Sequence, residues 1–176
     1  MVTIIQKEHP TLRTTSREVP LDEITSPAIK KIIEDMITAL ESQDDGVAIA
    51  APQIGKSYRI FVVSHKVFEI SPGHKKRRGK NMVFINPLIT KLSKDKKNLE
   101  EGCLSVRYLY GKVARSHRVT VEAMDETGTS FTMSTSGLLA QIFQHEVDHL
   151  NGILFIDKAK NVEEIIPEHI ASKNKT

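Results

Sequence analysis

His145, Glu146 and His149 stand at the spacing that lets a single helix carry out metal chemistry. The segment His145-Glu146-Val147-Asp148-His149 reads HExxH, and four residues are about one helical turn, so both imidazoles leave the same face and can hold one ion together. An acid one position after the first histidine is placed to move protons. At about 100° per residue, Leu138, Ile142, His145 and His149 form one narrow stripe, flanked by Leu139, Phe143 and Leu150, and Glu146 falls inside that apolar arc. Ala140, Gln141, Gln144, Asp148 and Asn151 take the opposite, more polar face. A pair of core histidines beside a salt-bridged glutamate would give the same letters. Two histidines and an acid on one inward face favour a metal site instead, because an unpaired carboxylate among apolar neighbours is costly and needs a reason to be there.

HExxH alone does not choose an enzyme, since zinc metallopeptidases use it too; the third ligand separates the families. In the extended pattern HExxHxxGxxH, Gly152 fits but Phe155 occupies the place of the third histidine, which excludes that version. A downstream glutamate ligand would have to be Glu163, Glu164 or Glu168, all on a short, broken tail. Cys103 is the better candidate. It lies between Gly102 and Leu104 at a predicted strand end, where glycine permits close backbone approach and a thiolate makes a strong, soft ligand. A lone cysteine is also commonly a small buried hydrophobe.

The elements that must position these residues can be read from periodicity. Ser26-Pro27 followed by Ile29, Ile32, Ile33, Met36, Ile37 and Leu40 supplies a cap, a first-turn proline and helical spacing, predicting a helix over 26–43. A stretch almost without large side chains follows at 47–55, which implies that something packs closely on its backbone. Short strands are expected at 58–64, 82–86 and 88–92, with a break at Asn86-Pro87 and a polar turn at 94–98. Alternation through 113–124 and 129–133 predicts a hairpin turning at Asp125-Glu126-Thr127-Gly128. The HExxH helix should open near Thr135 or Ser136, run to about Leu150 and stop at Gly152, and a weaker third helix should start at Val162 and be interrupted at Pro167. The expected fold is α+β, one domain over 1–176, with short mixed or antiparallel strands around a central HExxH helix, an N-terminal helix and a short C-terminal helix.

Composition sets the compartment and excludes some partners. The 39% apolar and 27% charged content is that of a globular protein, and no apolar run approaches a membrane span. The Met1–Pro10 segment has neither an apolar core nor a cleavage site, so no signal peptide or membrane anchor is expected. One cysteine cannot form an internal disulfide, which fits a reducing interior. A net charge of +3 is too weak to argue for nucleic-acid binding, although residues 74–80, His-Lys-Lys-Arg-Arg-Gly-Lys, form a basic cluster. That cluster reads as a solvated loop, with an RNA or other acidic contact as the alternative.

Three segments together, in order and spacing, resemble the peptide deformylase family. Residues 144–152 agree fully with its QHExDHLxG motif and residues 101–105 with EGCLS, while residues 46–53 agree with GxGxAAxQ except that Ala48 replaces the second glycine. The resemblance spans nearly the whole chain. It implies that Cys103, His145 and His149 bind one divalent ion, iron(II) by preference, with zinc, nickel or cobalt suiting the same ligands. It further implies that Glu146 is general base and acid, that Gln53 and the Leu104 amide stabilise the oxyanion, and that a metal-bound hydroxide attacks the formyl carbon of N-formylmethionine on nascent polypeptides. The methionine pocket is expected from Val47, Ala48, Leu99 and Ile142, and Arg115 is expected to pair with Asp148 and orient the helix.

Two departures bear on substrate choice: the extra methyl of Ala48, and Val106-Arg107-Tyr108-Leu109-Tyr110, where the family commonly has a proline and then an arginine that helps hold the peptide. The lack of a recognisable presequence favours a bacterial cytoplasmic enzyme, or an organellar one if a presequence was trimmed, and the basic 74–80 cluster is a candidate ribosome contact. The competing readings are a metallopeptidase using the same HExxH and a silent relative that binds nascent chains or RNA.

Overall fold

The computed structural model describes residues 2–71 and 79–166. Its architecture is α+β, with two antiparallel sheets. The larger contains β1 (Ala48–Ala50), β2 (Ile60–Val63), β3 (Met82–Leu92), β6 (Arg118–Met124) and β7 (Ser130–Ser136) in that spatial order, and the smaller contains β4 (Lys96–Glu101), β5 (Leu109–Ser116) and β8 (Lys160–Glu164). The larger sheet is clad by a helix on each face. On one side α1 (Pro27–Glu41) packs its Ile29, Ile33, Met36 and Leu40 against Ile60, Val62, Val83 and Ile85; on the other, α3 (Gly137–Leu150) packs Leu139, Phe143 and Val147 against Phe61, Val63, Phe84 and Val121. Because β2 is covered on both faces, Ile60-Phe61-Val62-Val63 is a continuous apolar run instead of an alternating one.

The local signals hold for α1 and, apart from the side-chain cap, for α3, where Ser136 takes the N-cap position without a side-chain capping hydrogen bond. Ser26 accepts a hydrogen bond from the Ile29 N–H at 3.3 Å and Pro27 occupies the first turn of α1. Helix α3 opens after Ser136 and stops at Asn151 and Gly152. Gly152 has φ +73°, and a Cβ there would lie 2.8 Å from the backbone of Arg13, so the N-terminal segment can cross the helix end only at a glycine.

The expected C-terminal helix is not formed by residues 160–164, which make strand β8, paired with β5. Its Lys160-Asn161-Val162-Glu163-Glu164 residues are all exposed and include good helix formers, but a waiting sheet edge supplies backbone partners that local preference does not foresee. The tail from Pro167 lies outside the described residues. For the same reason the polar stretch 94–98 is a turn only as far as β4, which begins at Lys96. The alternation read as one strand over 113–124 divides at His117 between the two sheets, 82–92 is one strand with a bulge near Asn86, and a short helix α2 (His65–Ile70), capped by Ser64, had no forecast. Of the 74–80 basic cluster only Gly79 and Lys80 are described, and Lys80 pairs with Glu126 at 3.1 Å.

Candidate active site

Three elements converge on one corner of the fold. Helix α3 contributes His145, Glu146 and His149; the end of β4 runs through Glu101 into the turn carrying Cys103 and Leu104; a 3-10 turn at Ala51–Ile54 contributes Gln53. The ligating atoms of Cys103, His145 and His149 lie within 4.8 Å of one another, with Cys103 Sγ 3.1 Å from His149 Nε2. Two donors on a tetrahedral ion, at about 2.0–2.3 Å each, stand roughly 3.5 Å apart. The donor spacing therefore fits one ion.

Electrostatics and hydrogen bonding fit the ion as well. His145 Nδ1 is 3.0 Å from Glu101 Oε2, which leaves its Nε2 free to ligate, the common arrangement of a carboxylate behind a ligating histidine. Burial works against a charged His145, yet Cys103, Glu101 and Glu146 outweigh it and raise its pKa well above the ordinary value, so this spot favours a positive charge. Burial pushes His149 well below its ordinary value and keeps it in the neutral form that binds metals. His149 Nδ1 and Glu146 Oε2 are buried without a hydrogen-bond partner among the described residues. Burial raises the Glu146 carboxyl to about 7, more than the neighbouring His145 can offset.

Gln53 is fixed by its own loop. Its Oε1 accepts from the Ala50 N–H at 2.8 Å, and its Nε2 faces the site, donating to Ser105 Oγ at 3.1 Å and lying 3.6 Å from Cys103 Sγ. The small residues around it allow that approach, since Ala50 and Ala51 are fully buried against the larger sheet and α1. A cleft of about 340 Å³ opens over this corner, lined in part by Val47, Ala48, Gln53, Leu104, Ile142 and Glu146. Leu99, expected beside them, is not among its lining residues. It sits in β4 opposite Val113, one residue out of phase with the cleft-lining Glu100. Asp45, Arg107, Tyr108, Tyr110, Leu138 and Gln141 also line the cleft; Leu138 shares the helical stripe of Ile142 and His145, and Arg107, Tyr108 and Tyr110 lie in the 106–110 departure, whereas no spacing rule points to Asp45 or Gln141.

On the polar side of α3, Gln144 and Asp148 are buried while Asn151 is exposed. Gln144 brackets the Ser116 backbone, accepting from its N–H at 2.9 Å and donating to its carbonyl at 3.0 Å. The expected Arg115 and Asp148 pair forms, with Nη1 to Oδ2 at 2.6 Å, and it belongs to a longer chain of charges. Arg115 also grips both oxygens of Glu101, at 2.7 and 2.8 Å, and Lys158 reaches Asp148 at 2.6 Å. Burial alone would raise Glu101, but the Arg115 and His145 hydrogen bonds overcome it and hold that carboxyl at about 2. The acid two positions before Cys103 was the available sign of this support.

Arg115→Met should strand two carboxylates beneath the site. The expected cost is about 3–5 kcal/mol of stability, measured by urea unfolding of the metal-free protein, together with weaker metal binding. Arg115→Lys restores the charge but not the two-pronged grip on Glu101, so it should recover only part of either loss.

Two histidines one turn apart on a helix and a cysteine from a neighbouring turn form a candidate three-donor set for one metal ion, with a carboxyl between the histidines that is not itself in the set. The matching family model is described as polypeptide deformylase and covers residues 1–164. The chain belongs to the polypeptide deformylase family, whose members are hydrolases. Peptide deformylase of Carboxydothermus hydrogenoformans is 42% identical over 144 residues, 81% of this chain and 84% of that one. That of Psychrobacter cryohalolentis is 38% identical over 157 residues, 89% of this chain and 78% of its own length. Among solved structures, the Thermotoga maritima peptide deformylase superposes with a TM-score of 0.76 at 34% identity, covering 91% of this chain and 98% of that one. A Met-Ala-Ser-bound class I type b enzyme of Acinetobacter baumannii superposes with a TM-score of 0.78 at 31% identity, covering 89% and 98%.

Proposed function

We propose that this chain removes the formyl group from the N-terminal formylmethionine of newly made polypeptides. The observation that carries the reading is Glu146, a buried carboxyl held at about 7 and opening onto an apolar cleft beside the three donor atoms. A carboxyl near neutrality can accept a proton and give it back within one turnover. Cys103, His145 and His149 would hold the ion, iron(II) in preference to zinc, nickel or cobalt. When bound, a divalent ion there supplies Lewis acidity toward water and the formyl oxygen.

The chain's own residues supply the rest. Glu146 takes the proton of the attacking water and returns it to the departing amine nitrogen, so the C–N bond breaks to leave a neutral amine and formic acid, which gives up its remaining acidic proton to solvent as formate. Gln53 Nε2 and the Leu104 N–H face the charge that develops on the formyl oxygen, and losing one such donor costs about 3 kcal/mol in comparable sites. Val47, Ala48, Leu138 and Ile142 offer apolar walls for a methionine side chain. The Acinetobacter baumannii relative was crystallised with Met-Ala-Ser, a peptide with the free amino terminus that deformylation would leave. Formylated nascent chains arise where bacterial-type ribosomes work, which argues for the bacterial cytoplasm, or an organelle of bacterial descent, and gives the basic 74–80 segment an RNA surface to meet.

Metal-loaded protein, prepared without oxygen, should release formate from formyl-Met-Ala-Ser and leave Met-Ala-Ser intact. Cleavage of the unformylated peptide would mark a metallopeptidase instead, and tight binding of the formylated peptide without formate would mark a silent relative.

A further inference from the structure

Two loops meet over one end of the cleft, joined by an ion pair. Asp45 precedes Gly46 and β1, Arg107 lies in the turn after Cys103, and both line the cleft. Arg107 Nη1 donates to Asp45 Oδ2 at 2.6 Å and Nη2 to Oδ1 at 3.1 Å, while Nη2 also donates to Gln43 Oε1 at 2.9 Å. The turn is anchored at two further points. The Arg107 N–H donates to Gln6 Oε1, and the Tyr110 ring lies so close to Gly102 that a Cβ there would come within 2.7 Å of it.

The two partners are not equally replaceable. The Arg107 side chain is 24% exposed and the Asp45 side chain 58%. A substrate carboxylate that displaces Asp45 keeps the guanidinium paired and releases Asp45 to the water it already faces. A substrate ammonium that captures Asp45 would leave the more covered Arg107 with Gln43 alone. Exchange of one carboxylate for another is therefore much the cheaper event. Among the described residues lining the cleft, Arg107 is the one lysine or arginine. Of the other acids lining the cleft, Glu101 is paired with Arg115, and Glu100 stands opposite Lys112 in the β4 and β5 register.

We propose that Arg107 is a specificity-determining residue that takes an acidic side chain of the peptide, one or two residues after the formylmethionine, in exchange for Asp45. The proposal rests on the deformylase reading. It deepens that reading by naming a preferred substrate class.

Formate release is to be followed from two matched pairs of peptide amides, formyl-Met-Asp-Ala against formyl-Met-Lys-Ala and formyl-Met-Ala-Asp against formyl-Met-Ala-Lys. In at least one pair the wild-type protein should favour the acidic member in kcat/KM by about fivefold, the worth of a partly exposed charge pair, with the difference carried by KM. Arg107→Gln should bring that ratio close to one. Asp45→Asn frees the guanidinium and should widen the ratio. Because each ratio is taken within one variant, a general loss of activity cancels. In strong salt the wild-type ratio should shrink. Formate released without regard to charge, or a ratio that survives Arg107→Gln, overturns this inference alone. No formate from any of the peptides overturns the deformylase reading and the inference with it.

Discussion

Glu146→Ala is expected to keep about one metal ion per chain while formate release falls by at least roughly a hundredfold, the usual worth of a positioned general acid and base. The two halves of that result come from different features of the site. Metal retention is expected because the proposed donors are Cys103, His145 and His149, and the Glu101 and Arg115 support behind His145 does not pass through Glu146. The loss of rate follows because the proton leaving water must reach the departing nitrogen, and Glu146 is the one cleft-lining acid near neutrality, with Glu101 held at about 2 by Arg115 and His145. Stability should not suffer. The carboxyl is 4% exposed and its Oε2 has no hydrogen-bond partner among the described residues, so removing it relieves desolvation and forfeits little. Metal analysis, a formate assay and urea unfolding of the metal-free variant check the three parts. An active variant would mean that another residue moves the protons, and a metal-free one would mean that Glu146 is a ligand.

How much of this site could be read from residues alone differs from element to element. Helix α3 was legible because its signals are local: a helical stripe and a glycine stop lie within or beside the segment they describe, and Ser136 takes the N-cap position even though its side chain makes no capping hydrogen bond. Cys103 was legible as the sole thiol beside a glycine. The Arg115 and Asp148 pair was foreseen, but the burial of Gln144 was not legible, because its satisfaction depends on the Ser116 backbone, about thirty residues earlier on another strand. Strands β4 and β8 are made largely of lysine, asparagine and glutamate, with Val162 their one β-branched residue. Their state is set by β5, which lies between them and offers backbone partners on both edges, and nothing within either segment records that. The Asp45 and Arg107 contact is of the same kind, since the two residues are far apart in sequence and meet only once both loops are placed.

Cys103→Ala should lose the metal and with it the activity, the opposite division from Glu146→Ala. The thiol sits 3.1 Å from His149 Nε2 and within 4.8 Å of the third donor, so its removal leaves two imidazoles and no anionic ligand. Changing a partner behind a ligand already costs about ten- to a hundredfold in metal affinity, and loss of the ligand itself should exceed the upper end of that range. Folding should survive. Cys103 is half-buried, and of the groups beside it Gln53 Nε2 keeps Ser105 Oγ, while the buried Ser105 N–H loses the thiol as its acceptor, a cost of about 1–3 kcal/mol that leaves the fold standing. Cys103→Asp supplies the discriminating comparison, because a carboxylate oxygen is also a metal ligand, at about 2.0–2.2 Å. That variant should hold the ion more tightly than Cys103→Ala and show a shifted preference, away from soft-ligand ions and toward harder ones. Equilibrium dialysis against zinc and cobalt, with circular dichroism to verify the fold, reads both effects without reference to turnover. Should Cys103→Ala bind metal as tightly as the wild type, the third ligand lies elsewhere and the turn after β4 does not serve the ion.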